Sequence, residues 1–234
     1  MRLYYSPNSC ALASHIILEE IGADYSLELV DFTKSEQKKP NYLKINPKAR
    51  VPALHTKDGI ITETPAILLF LAQSFPSQNV APLDQPFRLA QAQEFNSYLC
   101  STVHVAHAHL GRGSRWSDDE AAIASMTKKV PENVGNCFQL IDEKMIKGPW
   151  VLGEHFSICD AYLYTLTRWL ERDGVEREQL PNVNTHFLKM EERPSIQSII
   201  HYHEKYSVLR IKYQTFSLLQ QLVFEYLYLL GLVY

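Results

Sequence analysis

Strand-like patterns occur only in the first third of this chain of 234 residues, and this asymmetry limits its possible folds more than any other feature. Residues 3–5 and 25–31 have the apolar alternation of half-buried strands. Residues 11–21, between them, have the apolar spacing of a helix. This order predicts a βαβ opening.

A β-hairpin and a further helix complete the predicted N-terminal part. The hairpin strands are expected at residues 51–55 and 60–62, joined at Asp58-Gly59, a dipeptide typical of hairpin turns. An apolar helical run follows at residues 65–73. The sheet is therefore expected to be complete before residue 65.

The remainder of the chain is predicted to be helical. Residues 75–86 carry three prolines with Ser, Gln and Asn, which favours an extended connection and divides the chain into domains at 1–76 and 86–205. In the second domain apolar residues recur at three- and four-residue spacing. Ser157 and Asp160 form a capping-box pattern, which predicts a helix beginning at residue 157.

Composition and charge narrow the possible partners and the compartment. The chain is 46% hydrophobic and 21% charged with a formal net charge of -3, so a nucleic acid is not an expected partner. The four cysteines follow no paired zinc spacing, and the first residues lack the apolar run of a signal peptide. Free thiols in a reducing cytoplasm are expected.

Residues 206–234 form an apolar extension that differs from the rest of the chain. From Thr215 to Tyr234 the only charged residue is Glu225, and the run has the length of a membrane span. Three interpretations stay open: an added helix packed on the domain, a membrane anchor, or an altered reading frame appended to a shorter parent protein. Gln220, Gln221 and Glu225 weaken the anchor interpretation, because polar groups are costly in hydrocarbon.

Cys10 lies between the first predicted strand and the first predicted helix. Free backbone N–H groups and the helix dipole favour an anion there, and they predict a lowered pKa for the thiol. The hydroxyls of Ser9 and Tyr5 are further candidate donors to the same anion. A buried structural cysteine is the alternative interpretation.

Two prolines mark further candidate binding segments. Pro52 lies at the beginning of a predicted strand. A cis bond between Val51 and Pro52 would leave the backbone of Val51 free to pair with an extended peptide. A trans proline at a sheet edge is the alternative. Glu63 and Thr64 precede Pro65 at a helix N-terminus, where they could bind a ligand ammonium and a ligand carboxylate. An ordinary N-cap would have the same residues.

Taken together, the Ser-Pro-x-x-Cys, Val-Pro-x-Leu and Glu-Thr-Pro-Ala-Ile segments resemble the N-terminal domain of glutathione S-transferases, most closely the bacterial beta class. The segment from Gly153 to Tyr162 resembles the capping-box region of the same family, so the resemblance covers about 200 residues but not the tail. It implies a thioredoxin-like α/β domain followed by an all-α domain. It also implies glutathione as co-substrate, a cytoplasmic homodimer and a role in detoxification.

The resemblance assigns glutathione-site roles position by position. Cys10 matches the cysteine that faces the glutathione sulfur. Val51 matches the residue whose backbone pairs with the cysteinyl unit, and Pro52 matches the cis proline. The γ-glutamyl end is assigned to Glu63 and Thr64. Lys34 lies near the family's basic contact to the glycyl end.

In the second domain His104 matches the beta-class histidine that reaches the thiol, and His107 is its competitor one turn away. Tyr98 or His107 could line an apolar substrate pocket, whereas the three tryptophans are interpreted as core. With His109 the histidines are spaced by three and two, so they do not share one helical face and no metal site is expected.

Three hypotheses for the activity stay open. The first is conjugation of the glutathione thiolate to a hydrophobic electrophile, with Cys10, Ser9 or Tyr5 positioning the sulfur. The second makes Cys10 itself the reacting sulfur of a thiol transferase or disulfide reductase. The third is a non-catalytic binding or regulatory protein with the same fold.

Overall fold

The computed structural model describes residues 1–200, so the apolar extension at 206–234 and its three interpretations lie outside the described residues. Within residues 1–200, four strands form one sheet in the order β2-β1-β3-β4. They are β1 (Arg2–Tyr5), β2 (Ser26–Leu29), β3 (Ala53–Thr56) and β4 (Gly59–Thr62). β1 pairs with β2 in parallel, and the other two pairings are antiparallel. The predicted βαβ opening and hairpin are confirmed.

Helices account for the rest of the described secondary structure. Three accompany the sheet: α1 (Ala11–Glu20), α2 (Pro40–Leu43) and α3 (Thr64–Ser74). The helical part has six: α4 (Pro86–Tyr98), α5 (His104–Arg112), α6 (Glu120–Lys128), α7 (Val130–Leu140), α8 (Ile158–Thr167) and α9 (Pro181–Glu191). A π-helical turn, Leu99–Val103, joins α4 to α5 without a break. Residues 194–200 are also helical.

Helix α1 lies at the centre of the molecule. Its residues Ala11 to Leu18 are all buried, because the sheet, α3 and α8 surround it. A helix that is apolar on all sides is suited to such a position. Arg193, just beyond α9, donates from Nε to the Oε1 of Glu20 over 2.7 Å and so links the end of α1 to the helical part. Helix α1 is therefore held between both parts of the molecule.

No helix within residues 1–200 combines the length and the apolar character needed to cross a bilayer. The four cysteines all lie in this part of the chain, and all four are free thiols, as expected.

His15 is a polar residue in the buried face of α1. Its Nε2 lies 3.0 Å from the hydroxyl of Tyr25, which donates to Glu19 over 2.6 Å. Burial lowers the pKa of His15 to about 4, because the charged imidazolium is poorly solvated there. In the unfolded chain the pKa returns to about 6.5.

We expect this difference to destabilise the protein as the pH falls from about 6.5 to about 4, since only the unfolded state then takes up the proton. His15 alone accounts for about 3 kcal/mol over that interval, with a slope of about 1.4 kcal/mol per pH unit. Urea unfolding of wild type and His15→Gln at several pH values tests this. Between about pH 6.5 and pH 4, the free energy of unfolding of the variant should change with pH less steeply than that of wild type, by the equivalent of one bound proton. Identical slopes would contradict the assignment to His15.

Candidate active site

A cavity of about 710 Å³ lies between the sheet domain and the helical part. One wall consists of the loop before α1, the segment before β3 and the start of α3. The opposite wall consists of α5, the turn after it and the end of α8. Residues from distant parts of the chain therefore meet in one concave site, as expected of a small-molecule site.

Cys10 lines this cavity and lies immediately before α1. The preceding turn is closed by Ser9, whose Oγ donates to the Ser6 carbonyl over 2.6 Å and accepts from the Ala11 N–H over 3.3 Å. Asn8 has a positive φ of 53°, a conformation that glycine and asparagine adopt most readily. Ser9 and Cys10 thus both line the cavity next to a helix N-terminus.

The predicted lowering of the Cys10 pKa is wrong. Burial raises the pKa of this thiol, and the opposing effects of the Thr64 hydroxyl and the Arg112 charge are smaller. The desolvation of a thiolate therefore outweighs the charge and the hydrogen bonds that would lower the pKa of Cys10. Cys10 is a thiol at neutral pH, and its S–H donates to the Val51 carbonyl over 3.4 Å.

The Val51-Pro52 peptide bond is cis, and both residues line the cavity. The segment is held from behind, because the Arg50 carbonyl accepts from the Tyr42 hydroxyl and from the Asn46 amide, each over 2.7 Å. Within residues 1–200 the Val51 N–H has no hydrogen-bond acceptor. A backbone donor is therefore available to an extended ligand, whereas the carbonyl already accepts from Cys10.

Glu63 and Thr64 form the turn into α3, and both line the cavity. Glu63 has a positive φ of 74°, and its side chain makes no capping hydrogen bond, so it is not an ordinary N-cap. Its carboxylate instead accepts from Lys48 Nζ over 2.5 Å. The sequence does not single out Lys48, because it is one of several lysines in a polar stretch. Thr64 is buried beside Cys10.

Three predicted site residues do not line the cavity. Tyr5 is buried in the core, with its ring 6.3 Å from that of His15. Tyr98 lies beside Cys137, and burial raises the pKa of its hydroxyl. Lys34 has a side chain that is 69% exposed and pairs with Asp31 over 3.6 Å. Packing holds Tyr5 and Tyr98 away from the cavity, whereas the Lys34 side chain lies largely in solvent beside Asp31.

His104 and His107 both line the cavity from the helical side. His107 stacks on Trp169, with ring centroids 4.2 Å apart, and its Nδ1 lies 2.7 Å from Asp173. Burial, assisted by His107 and by nearby arginines, lowers the pKa of His104 to about 3. His104 is therefore a neutral imidazole at physiological pH.

The tryptophans divide between core and site. Trp150 is buried, as expected for core. Trp169 instead lines the cavity, and its Nε1 donates to the Asn8 carbonyl over 3.1 Å, which joins the helical part to the loop before Cys10. Trp116 also lines the cavity, and His109 packs on it with centroids 4.3 Å apart.

In the part of the chain that the structure describes, no group of His, Cys, Asp and Glu is arranged to hold a metal ion.

The fold and the site together define a class of protein. A mixed sheet whose cis-proline segment faces a cysteine at a helix N-terminus is a thioredoxin-like domain. An all-helical second domain that completes the cavity makes this the architecture of cytosolic glutathione transferases.

Comparison with known proteins identifies the family. Residues 1–73 match the model of the glutathione S-transferase N-terminal domain, and residues 110–194 match that of its C-terminal domain. The chain is 33% identical over 204 residues to glutathione S-transferase GstA of Escherichia coli O157:H7, covering 86% of this chain and 97% of that protein. It therefore belongs to the glutathione S-transferase family.

Solved structures give the same result. A glutathione transferase homologue from Sulfitobacter with bound glutathione superposes with a TM-score of 0.83 at 40% identity, covering 86% of this chain and 97% of that one. The beta-class glutathione S-transferase of Sphingomonas chungbukensis gives a TM-score of 0.76 at 28% identity, covering 87% and 98%. The predicted thioredoxin-like and all-α architecture is confirmed.

Proposed function

We propose that this protein is a glutathione transferase that joins the glutathione sulfur to hydrophobic electrophiles in the interdomain cavity. The observation that carries the proposal is that the free Val51 N–H, the Glu63 carboxylate and the Cys10 corner all line one cavity. Their partners in an extended tripeptide are a backbone carbonyl, an ammonium and a thiol, and glutathione offers all three. Its presence in the related Sulfitobacter structure supports this reading.

In this arrangement the cysteinyl unit of glutathione pairs with Val51 as an added strand would. The γ-glutamyl ammonium lies at Glu63, and its carboxylate lies at Thr64 and the N-terminus of α3. Lys34 does not line the cavity, and its side chain pairs with Asp31. The sulfur is then placed beside Cys10.

The protonated state of Cys10 favours glutathione as the reacting sulfur. A thiol is a poor nucleophile but a hydrogen-bond donor, so Cys10, by turning its S–H from the Val51 carbonyl to the ligand, and the helix N-terminus can stabilise a glutathione thiolate that attacks the electrophile directly. The thiol-transferase hypothesis requires Cys10 itself to ionise, and the raised pKa gives it no support. Nothing in the site favours a non-catalytic role.

Turnover of glutathione with 1-chloro-2,4-dinitrobenzene tests the proposal. We expect steady-state conjugation by wild type, and Cys10→Ala should lower kcat/KM by about 10- to 100-fold without abolishing turnover, the effect of losing one donor to a charged group. Ser9→Ala is the matched variant at the neighbouring hydroxyl. No turnover by wild type, or a complete loss in Cys10→Ala together with a glutathione adduct on Cys10 in the intact mass, would overturn it.

The proposal also includes a cytoplasmic homodimer that acts in detoxification, with domains at residues 1–76 and 86–205. The family membership supports the dimer and the compartment. The position of Pro76–Gln78 between α3 and α4 supports the domain division. Light scattering of the full chain tests the dimer.

A further inference from the structure

Arginines dominate the charge of the cavity. Among the described residues that line it, one is acidic, Glu63, and it is already paired with Lys48. The lining arginines are Arg50, Arg112, Arg115, Arg168 and Arg172. Arg168 is engaged, since it donates to the Tyr164 hydroxyl over 2.9 Å. The other four have no ion pair within residues 1–200, so the cavity lining is strongly cationic.

Three of these charges are close enough to influence one another. Burial lowers the pKa of Arg115, and the charges of Arg112 and Arg50 lower it further. Like charges held together at a cavity repel one another until an anion binds between them. The group is therefore arranged for an anionic ligand.

Glutathione does not account for the whole group. Its γ-glutamyl carboxylate is placed at Thr64, and its glycyl carboxylate can use Arg50, which adjoins Val51 on the glutathione side. Arg112 and Arg115 belong to the opposite, helical wall, at the end of α5 and in the turn that follows. An anion bound there lies on the side of the second substrate.

The same wall is aromatic. His104, His107 and Trp169 form one cluster, with His104 and Trp169 centroids 5.1 Å apart. Trp116, 47% exposed, lines the cavity close to Arg115 in the chain. Flat aromatic surfaces beside guanidinium groups suit a planar ring that carries a negative charge.

We propose that the preferred electrophile is an aromatic compound with a carboxylate or a similar oxyanion, bound by Arg112 and Arg115. This inference rests on the proposed function. With an aryl chloride the glutathione sulfur forms a C–S bond, chloride leaves with the electron pair of the broken C–Cl bond, and the proton of the thiol passes to solvent. The arginines orient the ring and take no part in bond making.

Two matched electrophiles test the inference: 4-chloro-3,5-dinitrobenzoate, which is anionic, and 4-chloro-3,5-dinitrobenzamide, which is neutral. Each kcat/KM is divided by the uncatalysed rate constant with glutathione, which corrects for intrinsic reactivity. We expect the corrected ratio to favour the benzoate by about tenfold or more, as for hydrogen bonds to a charged group. The preference should shrink as salt is raised to about 0.5 M.

Substitutions locate the effect. The double variant Arg112→Met, Arg115→Met should bring the corrected ratio close to one, mainly through the KM of the benzoate. Arg112→Lys, Arg115→Lys should retain part of the preference. Lys44→Met, Lys57→Met removes the same charge from exposed positions outside the cavity lining and should leave the ratio unchanged.

The outcomes separate the inference from the proposed function. Turnover of both electrophiles with a corrected ratio near one in wild type overturns the inference and leaves the transferase proposal intact. A rise in glutathione KM in the Met double variant, with an unchanged ratio, assigns the arginines to glutathione and also overturns it. If neither electrophile is turned over, both proposals fall together.

Discussion

Replacing Asp160 by alanine is expected to lower the free energy of unfolding by about 3–5 kcal/mol, the cost of removing one partner from a buried charged network. The Asp160 carboxylate is fully buried and accepts from four donors. These are the Val151 N–H (2.7 Å), the Ser157 N–H (2.7 Å), the Ser157 hydroxyl (2.8 Å) and the His186 Nε2 (3.0 Å). Without the carboxylate, these donors stay buried with no acceptor.

Urea unfolding followed by circular dichroism measures the effect. Ser157→Ala is the matched control, because it removes the capping hydroxyl and leaves the carboxylate with its other donors; a loss of about 1 kcal/mol is expected. The two losses would be similar if Asp160 acted only as the N-terminal cap of α8. A much larger loss for Asp160→Ala shows that it joins three segments of the helical domain.

The second large effect is expected in glutathione affinity. Glu63→Gln should weaken glutathione binding by about 10- to 100-fold, the loss of a charge-assisted hydrogen bond to the γ-glutamyl ammonium. Glutamine has nearly the same size as glutamate. The substitution adds no backbone strain, because position 63 already has a non-glycine residue at φ 74°. Calorimetric titration of the full chain with glutathione measures the change.

Lys48→Met separates binding from structure. It removes the 2.5 Å partner of Glu63 and leaves the carboxylate in place. If Glu63 binds glutathione, this variant should bind at least as tightly as wild type, because the lysine no longer competes for the carboxylate. Equal weakening in both variants would instead show that the ion pair serves to hold the segment before β3 against the turn after β4.

Several features of this protein follow from local sequence alone. The Ser157 and Asp160 pattern predicts the start of a helix, and α8 does begin at Ile158 with both capping-box hydrogen bonds present. The Asp58-Gly59 turn predicts the hairpin of β3 and β4. Both succeed because capping and tight turns depend on residues within a few positions of one another.

Other features depend on segments far apart in the chain. The polar stretch from residue 34 to 48 has several lysines, and only the folded chain shows that Lys48, and not Lys34, reaches the site. The sequence favoured Tyr98 as a pocket residue and Trp169 as core, but packing placed Tyr98 beside Cys137 and Trp169 in the cavity. Helical spacing predicts on which face of a helix a residue lies. It does not predict which segment of the chain packs against that face.

The first third of the chain, with its strands, cis proline and cysteine before a helix, was enough to predict the family and to single out Cys10, Val51 and Glu63, which line the cavity. These are short segments whose chemistry is local. Only the tertiary structure gives the direction of the Cys10 pKa shift, because burial of the thiol outweighs the charge and the hydrogen bonds that would lower its pKa. It also brought Arg50 to Arg112 and Arg115 across the cavity, and the charge that the second substrate meets depends on that arrangement.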